Sequence, residues 1–287
     1  MFRRSSLKSL ALRVPPGENA MSMIHIVAFL FAAIAAQQGQ AVRLSIPDEP
    51  GIEKAEIRWQ DKTVPYTRAG KDWVTVIGLD LELKPGSYTG DVRVTKNGMV
   101  ERRSVTLNVK AVKFPIQRLE VADEYVELSP ENTERALREA KELEGIHNTI
   151  SGPALWKEPF IVPIPGGVGS SFGKRRVFNG ESRNPHAGAD LRATTGTPIR
   201  STNRGRVVLA KDLFFTGNTV IVDHGLGIYT LYAHLSRIDV AKDAVVDRSQ
   251  VIGLAGATGR VTGPHLHWGA RVQNTRVDPF SLINLGK

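Results

Sequence analysis

The chain has 287 residues, a formal net charge of +9, 41% hydrophobic residues and 23% charged residues. That length allows about two domains, and the apolar content excludes wholesale disorder. The absence of cysteine excludes disulfides, thiolate metal sites, a cysteine nucleophile and the acylated cysteine of a lipoprotein anchor. The basic balance draws polyanions. The basic residues are scattered, however, and no nucleic-acid-binding motif accompanies them, so anionic envelope polymers are compatible partners and nucleic acid is not expected.

Residues 1–41 read as an export segment. Residues 24–36 (IHIVAFLFAAIAA) form an apolar run of h-region length. Ala33-Ile34-Ala35 and Gly39-Gln40-Ala41 both suit a small-x-small cleavage site. The run is shorter than the roughly 20 apolar residues of a spanning helix; retention as a membrane anchor is the alternative. Arg3, Arg4, Lys8 and Arg13 lie far upstream of it, across Pro15-Pro16-Gly17, which leaves the start and the export route open. The expected location is periplasmic or extracellular.

Residues 42–114 read as a β-sandwich-like module. Val92 and Val94, then Val105, Leu107 and Val109, alternate with polar neighbours, and Asn97-Gly98 between them signals a hairpin. Lys84-Pro85-Gly86-Ser87 marks another turn, and Trp59, Trp73 and Tyr88 are candidate core aromatics. Residues 115–150 read as a connector with a helix, or as a first helix of the next domain. Ser129 is its N-cap, Pro130 its first position and Glu131 an acid in its first turn. Leu137, Ala140 and Leu143 give its apolar face, through about Glu144. Residues 151–287 are strand-like and glycine-rich, which predicts a mostly antiparallel sheet domain.

Four of the seven histidines and one aspartate fall into three signatures in the last segment. In His186-Ala187-Gly188-Ala189-Asp190, an imidazole and a carboxylate of the kinds zinc takes are separated by a turn-permitting glycine. His234 ends the run Leu231-Tyr232-Ala233. In His265-Leu266-His267, strand alternation puts both imidazoles on one face. A catalytic zinc needs three protein ligands and an open position. His186, Asp190 and one histidine of the pair meet that need, leaving His234 and the other histidine to move protons and steady an oxyanion. Taken singly, each piece has a plainer reading: Asp190 pairs with Arg192, or the histidines simply pack.

The whole arrangement resembles the M23 peptidases, the LytM or lysostaphin-type zinc endopeptidases. Phe172-Gly173, His186 to Asp190, Gly196-Thr197-Pro198-Ile199, Gly217 to Gly225, Thr230 to Leu235, Thr262 to His267 and Val277-Asp278-Pro279 fit that pattern in order, and the resemblance covers a little under half of the chain, at its C-terminal end. The resemblance implies one Zn2+ bound by His186, Asp190 and His267, with His234 and His265 catalytic. It also implies a β-sheet with a groove over the metal, and peptidoglycan stem peptides and their cross-links as substrate. A non-hydrolytic relative that activates a separate amidase is the competing reading, and the complete ligand set counts against it. Asp243 and Ser249 stand where the family often has glycine, so other turn geometry is expected there. Trp268-Gly269 follows the pair where the family has an aromatic and often an acid, so an altered groove floor is expected there. His224 reads as structural; His25 and His147 have no partner motif.

Overall fold

Alternation of apolar and polar residues marks the strands at residues 41–47, 86–96 and 99–110, whereas residues 73–78 are buried throughout. The computed structural model describes residues 33–119, 128–178 and 180–285; most of the expected export segment lies outside the described residues. The N-terminal unit comprises β1 (Ile34–Gln37), β2 (Ala41–Pro47), β3 (Ile52–Trp59), β4 (Lys62–Pro65), β5 (Thr67–Ala69), β6 (Asp72–Gly78), β7 (Gly86–Lys96) and β8 (Met99–Lys110). One sheet runs β1-β8-β7-β3-β4 and the other β2-β6-β5. Leu44, Ile46, Trp73 and Ile77 of the small sheet pack on Ile57, Val92, Val94 and Leu107 of the large one, which makes a sandwich. Asn97-Gly98 closes the β7–β8 hairpin with both residues at positive φ (50° and 74°), the type I′ geometry that suits strand twist.

The sandwich begins earlier than the sequence boundary at residue 42. β1 pairs in parallel with β8, and Ala36 is buried in the shared core. The tail of the apolar run therefore serves as an edge strand.

The connector holds β9 (Ile116–Leu119) and α1 (Pro130–Asn148). Ser129 Oγ accepts the Asn132 amide at 3.2 Å, which satisfies a free N–H of the first turn. The helix runs one turn past Glu144. It buries Leu143 and Ile146 against Leu209, Ile221 and Tyr229, while Leu137 stays 67% exposed. The buried face is thus rotated away from Leu137, and exposed ion pairs flank it: Arg135 with Asp212 at 2.8 Å and Lys211 with Glu142 at 2.6 Å.

The C-terminal unit comprises β10 (Val168–Ser170), β11 (Arg175–Phe178), β12 (Glu181–Arg183), β13 (Gly188–Arg192), β14 (Pro198–Arg200), β15 (Gly205–Leu213), β16 (Gly217–Asp223), β17 (Ile228–Ile238), β18 (Val245–Val246), β19 (Val251–Ala255), β20 (His265–Val272), β21 (Thr275–Val277) and α2 (Pro279–Ile283). Its main path is β10-β13-β20-β17-β16-β15-β18, with β14, β19 and β21 attached. Every pair in it is antiparallel. A separate small sheet, β12-β11-β9, ties the connector to this unit.

The two units share a core. Ala41 and Val76 of the sandwich pack with Phe160, Ile228, Ala270, Val272 and Leu282. Gln273 donates to the carbonyls of Val76 at 2.9 Å and Leu226 at 2.6 Å. Arg276 binds Asp80 at 2.9 Å and Glu82 at 2.6 Å. Asp243 and Ser249 sit at φ 70°. Contrary to expectation, these turns keep the left-handed geometry that glycine would supply. Backbone bonds to distant segments hold them there: the Asp243 amide to Val207 O at 2.7 Å and the Ser249 amide to Ser201 O at 2.9 Å.

Candidate metal centre and groove

β13 and β20 lie side by side, with Asp190 opposite His267 and Arg192 opposite His265. Directly opposed residues share a face, so the register brings Asp190 and His267 together, and His186 joins them from the turn before β13. Asp190 Oδ1 lies 3.0 Å from His186 Nε2 and 2.9 Å from His267 Nδ1. The two imidazole nitrogens are 3.0 Å apart. These three residues form a group of donor atoms able to hold one metal ion. Donors about 2.0–2.1 Å from a tetrahedral zinc would be separated by roughly 3.3 Å, so the triangle fits zinc after opening by a few tenths of an ångström. Two imidazoles and a carboxylate also favour a borderline ion over Mg2+ or Ca2+, which take oxygen.

Local packing explains the spacing. A Cβ on Gly188 would lie 2.5 Å from Trp268 O and 2.8 Å from His267 Cε1. Only glycine lets the His267 ring lie against β13. His186 donates Nδ1–H to Ser171 O at 3.0 Å, which turns Nε2 toward the triangle. Burial raises the Asp190 pKa, but hydrogen bonds from His186 and His267 outweigh it and hold the carboxyl well below the usual carboxylate range. The alternative partner Arg192 plays no part in this.

His234 and His265 stand beside the triangle. His265 Nε2 is 3.7 Å from Asp190 Oδ1, and its Nδ1–H donates to Gly263 O at 2.9 Å. His234 donates Nδ1–H to Thr258 O at 2.9 Å. Its ring centre is 4.9 Å from that of His265 and 5.9 Å from that of His267. Burial pushes the His234 pKa down to about 4, against the opposing pull of the Thr258 carbonyl. The ring is therefore neutral at physiological pH, with Nε2 able to accept a proton.

A β-bulge delivers His234 to this place. Val220 pairs with Tyr232 and Asn218 with Leu235, so Ala233 and His234 together oppose Thr219. His234 takes up the extra residue at φ 62°, and its amide donates to Thr216 O at 2.9 Å. In a regular strand Ala233 and His234 would face opposite sides. The bulge re-aims the side chain, at the cost of a left-handed conformation that residues other than glycine resist.

Cavities extend from the triangle in both directions. One of about 480 Å³ is lined by Ser170, Arg192, Thr194, Thr262 and His265. The other, about 260 Å³, runs past His267 over Leu231 and Gly269 to Arg271, with α1 forming one wall. His147 lines that wall; the sequence offered no partner for it, since its neighbours come from β17 and β20. His224 is buried, bonded to Arg204 O and Thr230 Oγ1 at 2.8 Å each, and is structural. Trp268 faces the opposite core against Phe280, so the departure at Trp268-Gly269 changes the groove only through the missing Gly269 side chain.

The profile of peptidase family M23 matches residues 184–279, which contain all five site residues. A Vibrio cholerae protein named peptidoglycan DD-endopeptidase ShyB is 44% identical over 94 residues, 33% of this chain and 22% of that protein. A Neisseria meningitidis protein named DD-carboxypeptidase/endopeptidase Mpg is 39% identical over 115 residues, 40% of this chain and 26% of that protein. The chain thus spans about a quarter of the length of these curated relatives. A crystal structure from Pseudomonas aeruginosa described as a peptidase M23 aligns with a TM-score of 0.66 at 31% identity, covering 85% of this chain and 93% of that one. Profile, identity and a shared arrangement of both units agree: the chain belongs to peptidase family M23.

Proposed function

We propose that the chain is a zinc endopeptidase that hydrolyses peptide cross-links of bacterial peptidoglycan outside the cytoplasm. The observation that carries the reading is the juxtaposition of a three-donor triangle with two further imidazoles locked in one tautomer. His186, Asp190 and His267 would hold Zn2+, which supplies Lewis acidity and a lowered water pKa. His234 and His265 each keep Nδ1 occupied by a backbone carbonyl, so Nε2 is the atom left to take a proton from water or to donate one to the substrate oxygen. Burial of His234 keeps that nitrogen unprotonated at neutral pH. The names of the curated relatives favour a D-Ala cross-link over a glycine-rich bridge.

Among the described residues, no helix is long and apolar enough to cross a membrane. Export rests on residues 24–36, most of which lie outside the described residues.

The test is digestion of purified cross-linked muropeptides by the zinc-loaded full chain, with products identified by mass. D-Ala-linked dimers should yield monomers, glycine-bridged dimers should not, and a chelator should stop release. A folded, zinc-loaded protein that leaves every dimer intact would refute the proposal and favour the non-hydrolytic reading.

A further inference from the structure

The groove on the α1 side of the metal centre ends in a cation. Alternation along β20 places His265, His267, Gly269 and Arg271 on one face. Four residues of strand put Arg271 roughly 13 Å from His267, the length of about four residues of extended peptide. The floor between them is low because Gly269 has no side chain; a Cβ there would already reach Leu231 Cβ at 3.5 Å. α1 stands across the end of this run through Leu143 and His147 and bounds the cavity of about 260 Å³.

Arg271 is partly buried, and desolvation lowers its pKa, with Arg276 adding repulsion and Asp80 opposing. Its hydrogen bonds go to neutral acceptors, Asn274 O at 3.0 Å and Asn274 Oδ1 at 3.3 Å. Among the described residues no carboxylate lies within ion-pairing distance of it. Asp80 and Glu82 are held by Arg276 instead. His147 beside it is kept neutral, its pKa pushed to about 4 by burial and by Arg271. A largely desolvated guanidinium at the end of a peptide groove, bonded only to neutral acceptors, can take a planar anion.

We propose that Arg271 binds a carboxylate of the substrate stem peptide, in a subsite between β20 and α1 about four residues from the bond that is cut. The proposal rests on the peptidoglycan reading and deepens it. The carboxylate comes either from the stem's C-terminus or from an acidic branch of it. Glu144 also lines the cavity, from the exposed side of α1; an amine ligand paired with Glu144 is the competing occupant.

The test uses the full chain and a synthetic stem peptide with both carboxylates free, with only the C-terminus amidated, or with only the branch amidated. Direct binding is measured by calorimetry on zinc-loaded protein, so the result does not depend on hydrolysis. Amidating the bound carboxylate should weaken binding about 10- to 100-fold, and the peptide that shows the loss identifies the source. Arg271→Gln should weaken binding of the free peptide by the same factor and abolish discrimination between the three peptides. Arg271→Lys should recover part of it, since charge returns without the fork. Where the dimers are cut, the Arg271→Gln loss should appear in KM with kcat little changed. Equal binding of all three peptides, or an Arg271→Gln protein that discriminates as the unaltered chain does, would overturn the proposal. So would loss on Glu144→Gln with no effect at Arg271, which assigns the cavity to an amine. If discrimination follows Arg271 but no dimer is ever cut, the subsite stands and the endopeptidase reading fails.

Discussion

His234 joins strain and chemistry at one residue, so replacing it with glycine and with alanine separates the two. Both changes remove the imidazole and the Nδ1–H bond to Thr258 O, which is 2.9 Å long and at a buried position. Loss of that bond costs about 0.5–1.5 kcal/mol. The backbone effect differs. At φ 62° an L residue bears about 1–2 kcal/mol of left-handed strain, which glycine does not; glycine's greater unfolded-state entropy offsets about 0.5–1 kcal/mol of that. His234→Gly should therefore be more stable than His234→Ala by up to about 1.5 kcal/mol, read from urea denaturation with unchanged m-value. Both variants should retain one zinc per chain, because His234 lies outside the donor triangle. Both should lose about 100- to 10,000-fold in hydrolysis rate, the contribution of a positioned proton-transfer group. Equal rates with and without the imidazole would refute the catalytic role. A more stable alanine variant would refute the strain argument, and loss of zinc in either would place His234 among the ligands.

Within the pair on β20, His267→Ala should lose both zinc and activity, whereas His265→Ala should keep zinc and lose about 100- to 10,000-fold in rate; metal analysis beside a rate assay decides, and the opposite pattern would reverse the assignment. Ser249→Gly, at a position with φ 70°, should raise stability by no more than about 1.5 kcal/mol, and a clear loss in a denaturation curve would mean that the Ser249 side chain holds the turn. Asp80 is the group for pH: burial raises its pKa, but hydrogen bonds and charge from Arg276 outweigh that and lower it below the ordinary value. A depressed folded-state pKa gives stability that is present above the unfolded value of about 3.9 and is lost as pH falls through the folded one. Asp80→Asn should thus be less stable at pH 7, by more than the roughly 1 kcal/mol of an exposed pair and less than the 3–5 kcal/mol of a fully buried one. The gap to the unaltered chain should close in acid, and a gap independent of pH would remove the ion pair as its cause.

The sequence alone determined what depends on residue type and short spacing. Three donors of the right chemistry, a pair at i and i+2, a glycine between His186 and Asp190, a Ser-Pro-Glu helix start and an Asn-Gly hairpin are local statements, and strand alternation or capping carries each of them. What only the tertiary structure decided depends on partners distant in the chain. His234 would face away from the metal by parity; the mismatch against Thr219, set by pairing with β16, turns it inward. The face α1 buries, with Leu143 and Ile146 inward and Leu137 outward, follows from where Leu209, Ile221 and Tyr229 lie and not from its own apolar periodicity. The edge strand at Ile34–Gln37 looked like the end of an apolar run because its partner, β8, lies some 70 residues away. Arg271 is in plain register with His265 and His267, four residues beyond the latter, yet nothing local marks it: its surroundings come from α1 and from Asp80 and Glu82 of the other unit, and it takes the folded chain to leave that cation without a carboxylate at the end of a groove.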